Sequence, residues 1–258
     1  MMASKLKIFL ISYLLLIITS MVFIPNAHAI KYEVGLKEGE EYIWNCNVCD
    51  KNKMQEVFGD DWDEEDAEFF EDLRQNSRMR WIIDEIDNNE EVYLEQTEDN
   101  ETVFSIEYKK WSWTNKERWG SKDDVEKSYQ LKDPKDYPDD FDFPQFVPIW
   151  IPLPFGDYLK NMDLDYEYTI DSRVLPSISC KIDKNELDDD YPKQDIKIVA
   201  LYTDQGLLKS YKLYIKDNQV IVDISLETLI THNFIIISII TAIIYVAIVL
   251  FIYRMLKT

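Results

Sequence analysis

The sequence predicts an α+β fold, mainly antiparallel β: a strongly curved sheet or open barrel with one or two short helices, plus one C-terminal transmembrane helix. Three observations predict it. Apolar residues alternate with period two through most of residues 40–226. The later strands are joined by tight turns, as at Asp204-Gln205-Gly206 and Asp217-Asn218. Phe234–Tyr253 is a 20-residue stretch without charge, the length that crosses a hydrocarbon core. An all-β barrel is the alternative.

The N-terminus reads as a secretory signal over residues 1–29. Lys5 and Lys7 precede an apolar stretch from Ile8 to Ile24, and Ala27-His28-Ala29 is a small-residue cleavage site. Cleavage there leaves Ile30 first; the alternative is an uncleaved anchor. At the other end Arg254 and Lys257 follow the apolar run, so the tail 254–258 belongs in the cytoplasm and the domain 30–230 outside. The predicted location is the cell membrane, crossed once.

Between the ends, Glu40–Val48 reads as a strand, with Tyr42, Trp44, Cys46 and Val48 alternating to one face. Asn52–Phe58 reads as a short helix ended by Gly59. A second helix is expected over Asp63–Arg74, where Ala67, Phe70 and Leu73 have helical spacing and acids suit the first turn. Arg78–Ile86 and Glu91–Thr97 read as strands flanking a turn at Asp87-Asn88-Asn89-Glu90. Thr102–Trp113 and Val125–Leu131 follow. After a long loop come Asp165–Ile170, Ser177–Ile182, Asp195–Thr203, Leu207–Lys216 and Gln219–Leu226. The helices are expected on the concave face of the sheet.

Composition removes whole classes of function. The chain carries 49 acids against 28 bases. All the acids lie within residues 30–233, against 24 bases there, a net of −25. Nucleic-acid binding needs clustered cations and is excluded as a partner class. The two histidines, His28 and His232, lie at the apolar ends, so the outer domain has no internal His. Ser-His-Asp and Cys-His catalysis and His-ligated zinc go with it. No catalytic residue and no cofactor is implied.

Few segments carry chemistry. Cys46-Asn47-Val48-Cys49 has the spacing of a redox pair or half a metal site. In a regular strand, however, positions three apart face opposite ways and cannot readily bridge. No helix with a thioredoxin-like apolar pattern directly follows. A disulfide of Cys180 with Cys46 or Cys49, or free structural thiols, are the other readings. Asp61, Asp63 and Glu65 have the alternate spacing of a calcium loop, but its glycine and distal glutamate are missing, so a solvated helix start is the competing reading. Asn100-Glu101-Thr102 is a glycosylation sequon in a predicted turn.

The least ordinary segment is Phe141–Leu159, apolar and carrying four prolines. Proline at that density forbids a continuous helix or central strand. One reading is a loop that closes one end of the barrel and packs on the core. The others are a lid over a lipid or small-molecule pocket, or a wedge contacting membrane or a partner protein, through Phe141, Phe143, Phe146, Trp150 and Phe155 with nearby Trp111 and Trp113.

Glu38-Gly39-Glu40 with Trp44, Val57-Phe58-Gly59, Met79-x-Trp81-x-Ile83, the proline-rich loop, Gly206–Tyr211 and the terminal span form an ordered set. It resembles uncharacterised membrane-anchored surface proteins of archaea, which implies a surface location and no known activity. A curved sheet with helices also resembles the lipoprotein-carrier fold, which implies an apolar ligand. The expectation is therefore a non-enzymatic, single-pass surface protein. Its membrane contact is Phe234–Tyr253, and its outer domain binds an apolar ligand such as a lipid, or a protein partner. A purely structural or adhesive component is the first alternative. A carboxylate-based hydrolase is the second.

Overall fold

The computed structural model describes residues 31–227 apart from 64–68, 95–98, 123, 137–140, 142–144, 163, 166, 174 and 185–191. The chain divides into two units, Met1–Lys31 and Tyr32–Thr258, and the sheet with all of its packing belongs to the second. The expected signal (1–29), the expected span Phe234–Tyr253 and the tail 254–258 lie outside the described residues. Among the described residues no helix is long and apolar enough to cross a membrane.

Nine strands form one antiparallel sheet: β1 (Glu41–Cys49), β2 (Arg78–Leu94), β3 (Asp99–Thr114), β4 (Asp124–Leu131), β5 (Tyr168–Asp171), β6 (Ser177–Ile182), β7 (Ile196–Tyr202), β8 (Leu208–Ile215) and β9 (Gln219–Leu226). Their order is β4-β3-β2-β1-β9-β8-β7-β6-β5. The first strand pairs the last at the middle of the sheet, with Trp44 opposite Leu226. Two meanders run outward from this seam. The sheet does not close, so β4 and β5 are its edges.

Among the described residues two short α-helices accompany it. In α1 (Lys51–Phe58), the Asp50 carboxylate accepts from the Lys53 amide and Gly59 ends the helix at φ 87°. That geometry satisfies an orphan donor at one end and uses glycine's freedom at the other. Met54, Val57 and Phe58 are its buried face. The second helix, α2 (Phe155–Asn161), follows the proline-rich segment and buries Phe155, Tyr158 and Leu159.

Two expectations are corrected. The helix over Asp63–Arg74 is not found in its described part. Phe69 and Phe70 sit in a single 3₁₀-type turn, and Asp72 takes φ 60°, which an L-residue helix does not accommodate. The turn at Asp87–Glu90 is also absent. Strand β2 runs 17 residues straight through it, and the surplus residue is absorbed as a bulge opposite Ser105 and Val103. Lys127 pairs with Glu90 at 2.6 Å, Lys132 donates to the Asn88 carbonyl at 3.1 Å, and Asp87 accepts from the Asn89 amide. These bonds hold the bulge against β4, so the polar cluster bends the strand rather than ending it.

One continuous core lies on the inner face of the sheet. Trp44 and Trp81 meet edge to face at 5.1 Å, and Trp81 stacks on Tyr108 at 3.9 Å. The alternation read at Tyr42, Trp44 and Cys46, and at Phe104, Ile106 and Tyr108, matches their burial.

Candidate functional site

The connection from edge β4 to edge β5 carries the proline-rich segment, and it crosses the inner face as a strap. The Ile151 amide donates to the Gly206 carbonyl and the Leu208 amide to the Ile149 carbonyl, so Trp150 bridges to Leu207 at the start of β8. Leu153 exchanges two backbone bonds with Glu33. On its other side the Trp150 indole donates to Ser128 Oγ on β4 at 2.9 Å. Strands β4 and β8 are five steps apart in the sheet, about 24 Å if it were flat. A single residue reaches both, through its indole and its backbone, only because the sheet curls around the strap.

The aromatic candidates fill that curl. Trp150 is 1% exposed and Phe155 5%. Phe155 packs on Tyr202 at 5.0 Å, and Tyr202 donates to the Pro148 carbonyl at 2.8 Å. Phe141 meets Tyr168 edge to face at 5.6 Å. Phe146 is buried with φ 52°, and its carbonyl accepts from Tyr168. Phe143 lies outside the described residues. The strap also dictates glycine at one turn: a Cβ on Gly206 would sit 2.1 Å from the Ile151 carbonyl oxygen, and its φ is 81°.

Trp111 and Trp113 separate. A bulge in β3 places Thr114 opposite Arg78 but Trp111 opposite Arg80, which inserts one residue between the tryptophans. Trp113 turns into the core, donating to the Phe69 carbonyl at 2.7 Å. Trp111 stays on the outer face, where the Arg80 guanidinium lies 4.5 Å from its ring and Arg78 and Arg80 both lie over Trp119. Arg80 also pairs with Glu41 at 2.8 Å. Sequence reasoning missed this stacked Arg–Trp patch. Its signal was the pair Arg78-x-Arg80 on one face of a strand adjacent to Trp111.

Also missed is Lys110, buried between Glu71 at 3.2 Å and Glu126 at 2.9 Å. Tyr108 donates to the same Glu126 carboxylate. Burial pulls the Lys110 ammonium down, but Glu126 and Glu71 together outweigh it and hold its pKa above the usual lysine value. The two carboxylates that converge here are therefore committed to one cation.

The remaining candidates are dispersed. Asp61 is exposed, Asp63 pairs with Lys51 at 2.8 Å, and Glu65 lies outside the described residues. Trp62 between the two aspartates is buried under the Lys51 ammonium, which anchors the acid run to the core. Among the described residues no group of three or more His, Cys, Asp or Glu is placed to hold a metal. Asn100 is exposed in strand β3 opposite Tyr93, not in a turn.

No disulfide links Cys46, Cys49 and Cys180. The expected bridge to Cys180 is not formed in this structure. Cys180 is in β6, four strand steps from β1, about 19 Å along the sheet. The expectation that Cys46 and Cys49 face apart is also overturned. Cys46 pairs with Ile224 and Val48 with Asp223, so Asn47 is an extra residue in β1 and Cys49 returns to the core face opposite Val222.

No protein-family model, curated protein or solved structure matches the chain.

Proposed function

We propose that the chain is a single-pass cell-surface protein whose acidic outer domain is a non-enzymatic module acting through its exterior, in contact with protein. The observation that carries this reading is the burial of Trp150, Phe155, Phe141 and Phe146 beneath their own strap. A lipid carrier of this shape needs its concave face for the ligand. Here the chain's own aromatic side chains take that place. The convergent carboxylates Glu71 and Glu126 are both held by Lys110, which leaves the hydrolase alternative without a free acid–base pair at that position. The secretory signal, the apolar run Phe234–Tyr253 and the basic tail support the surface location. Outside the core, Trp111 and Trp119 are half-buried and stacked on arginines, a composition common in protein contacts.

Native mass spectrometry of the full-length chain, released from its own membranes in mild detergent, tests the reading. The expected result is the polypeptide mass without any small molecule that denaturation removes. A stoichiometric lipid, lost on denaturation and absent from Trp150→Asp, overturns it in favour of a carrier.

A further inference from the structure

The bulge at Asn47 makes a dithiol out of two residues that a regular strand would hold apart. Cys46 and Cys49 lie opposite Ile224 and Val222, which are two residues apart on β9. Three steps of β1 are thus compressed into two, a Cα separation of about 7 Å. Disulfides take Cα separations of roughly 4.4–6.8 Å, so closure needs only a slight tightening of the bulge. In the structure Cys46 Sγ donates to the Val48 carbonyl at 3.3 Å. Cys49 Sγ points to the Leu73 carbonyl at 3.7 Å, in the turn segment that covers the pair.

We propose that Cys46 and Cys49 are a thiol–disulfide exchange site, with Cys49 attacking and Cys46 resolving. The two thiols are not equivalent. Once Cys49 is ionised, the Cys46 thiol can turn from the Val48 carbonyl to donate to it, and the Lys51 ammonium adds to this, so Cys49 ionises below the usual thiol range. That donation to Cys49 and burial push Cys46 the other way. Cys49 also immediately precedes Asp50, the N-cap of α1, where the helix dipole favours an anion. The oxidant is a second disulfide, low-molecular-weight or protein. The Cys49 thiolate attacks one of its sulfurs, forming a mixed disulfide and releasing one thiol. Cys46, giving up its proton, attacks the Cys49 sulfur and releases the second thiol. Two electrons pass from the pair to the incoming disulfide, which leaves as two thiols. Cys49 is the more accessible of the two, 8% exposed against 1% for Cys46, so the incoming disulfide meets Cys49 first. A bond at the stretched end of the allowed range is reducible rather than permanent.

The test uses the full-length wild-type chain in detergent. It is equilibrated natively across a series of reduced-to-oxidised glutathione ratios, acid-quenched, alkylated after unfolding and mapped by mass spectrometry. The expected result is loss of two of the three alkylatable thiols in one step, a Cys46–Cys49 bridge, Cys180 alkylated throughout, and full recovery with dithiothreitol. Cys180→Ser keeps the transition. Cys46→Ser stops at a glutathione adduct on Cys49. Three alkylatable thiols at every ratio, a bridge that includes Cys180, or a bridge formed only in urea overturns the proposal.

Discussion

Trp111 and Trp113, two residues apart in one strand, face opposite sides of the sheet. The bulge between Trp111 and Thr114 sends Trp113 into the core against Phe69 at 5.9 Å and leaves Trp111 outside under Arg80. The two substitutions should therefore differ sharply. Trp113→Ala should cost about 3–5 kcal/mol, as expected for emptying a buried indole site. Trp111→Ala should cost about 1 kcal/mol, the value of a cation–π contact on a half-buried outer face. Urea midpoints of the two variants check this, and equal costs would contradict the bulge.

Such bulges mark the boundary of what a sequence reader can see. The strands were legible because alternation is a local property: Ser177–Ile182 and Gln219–Leu226 have the predicted bounds, and Gly59 and Gly206 end or turn elements where predicted. The fates of Cys49 and Trp113 were not legible, because one extra residue inverts the facing of everything after it. Where that residue goes is decided by the partner strand, through pairings such as Val48 with Asp223. The turn predicted at Asp87–Glu90 failed for the same reason, since Lys127 and Lys132 arrive from residues about forty positions later. For the strap, four prolines signalled a break, and packing on the core was one of three readings held open. Its seat on the core rests on contacts with Ser128 and Gly206, which are remote in sequence.

Tyr202 and Tyr211 are both fully buried, yet their hydroxyls differ. Tyr202 donates to the Pro148 carbonyl, whereas the Tyr211 hydroxyl has no hydrogen-bond partner among the described residues. Tyr202→Phe should cost about 1 kcal/mol, because it removes a bond and orphans a strap carbonyl. Tyr211→Phe should be neutral or stabilising by up to about 1 kcal/mol, since it removes a desolvated group that gains nothing. Thermal melts of the pair read the sign directly.

Stability should fall at alkaline pH. Burial raises the phenol pKa of Tyr42, Tyr202 and Tyr211, with Glu40 contributing at Tyr42. Below about pH 10 both states keep these protons and the contribution is constant. Above it the unfolded chain releases protons that the folded chain retains, so folding weakens as pH rises. Lys110, raised in the fold, acts in the same direction. The urea midpoint should drop between about pH 8 and about pH 11, with late-ionising tyrosines in the absorbance titration. An unchanged midpoint would contradict the burial of these phenols.

Lys110→Met should destabilise the domain by about 2 kcal/mol, because Glu71 and Glu126 would be left facing each other without their cation. Both carboxylates are about a third exposed, which keeps the loss below that of a fully buried pair. Adding Glu71→Gln to the variant should recover part of the loss. Chemical denaturation of the double-mutant cycle measures it.

The central claim is that the proline-rich segment is a core strap and not a lid, and hydrogen exchange of the full-length chain tests it most directly. The amides of Ile151, Leu153 and Leu208 bond to Gly206, Glu33 and Ile149 within the fold. Peptides covering 146–159 should exchange as slowly as those of β8 and β9, through global unfolding alone, and Gly206→Ala should speed them selectively. Rapid exchange of 146–159 while β8 and β9 stay protected would show a segment that opens on its own, and would return the concave face to a ligand.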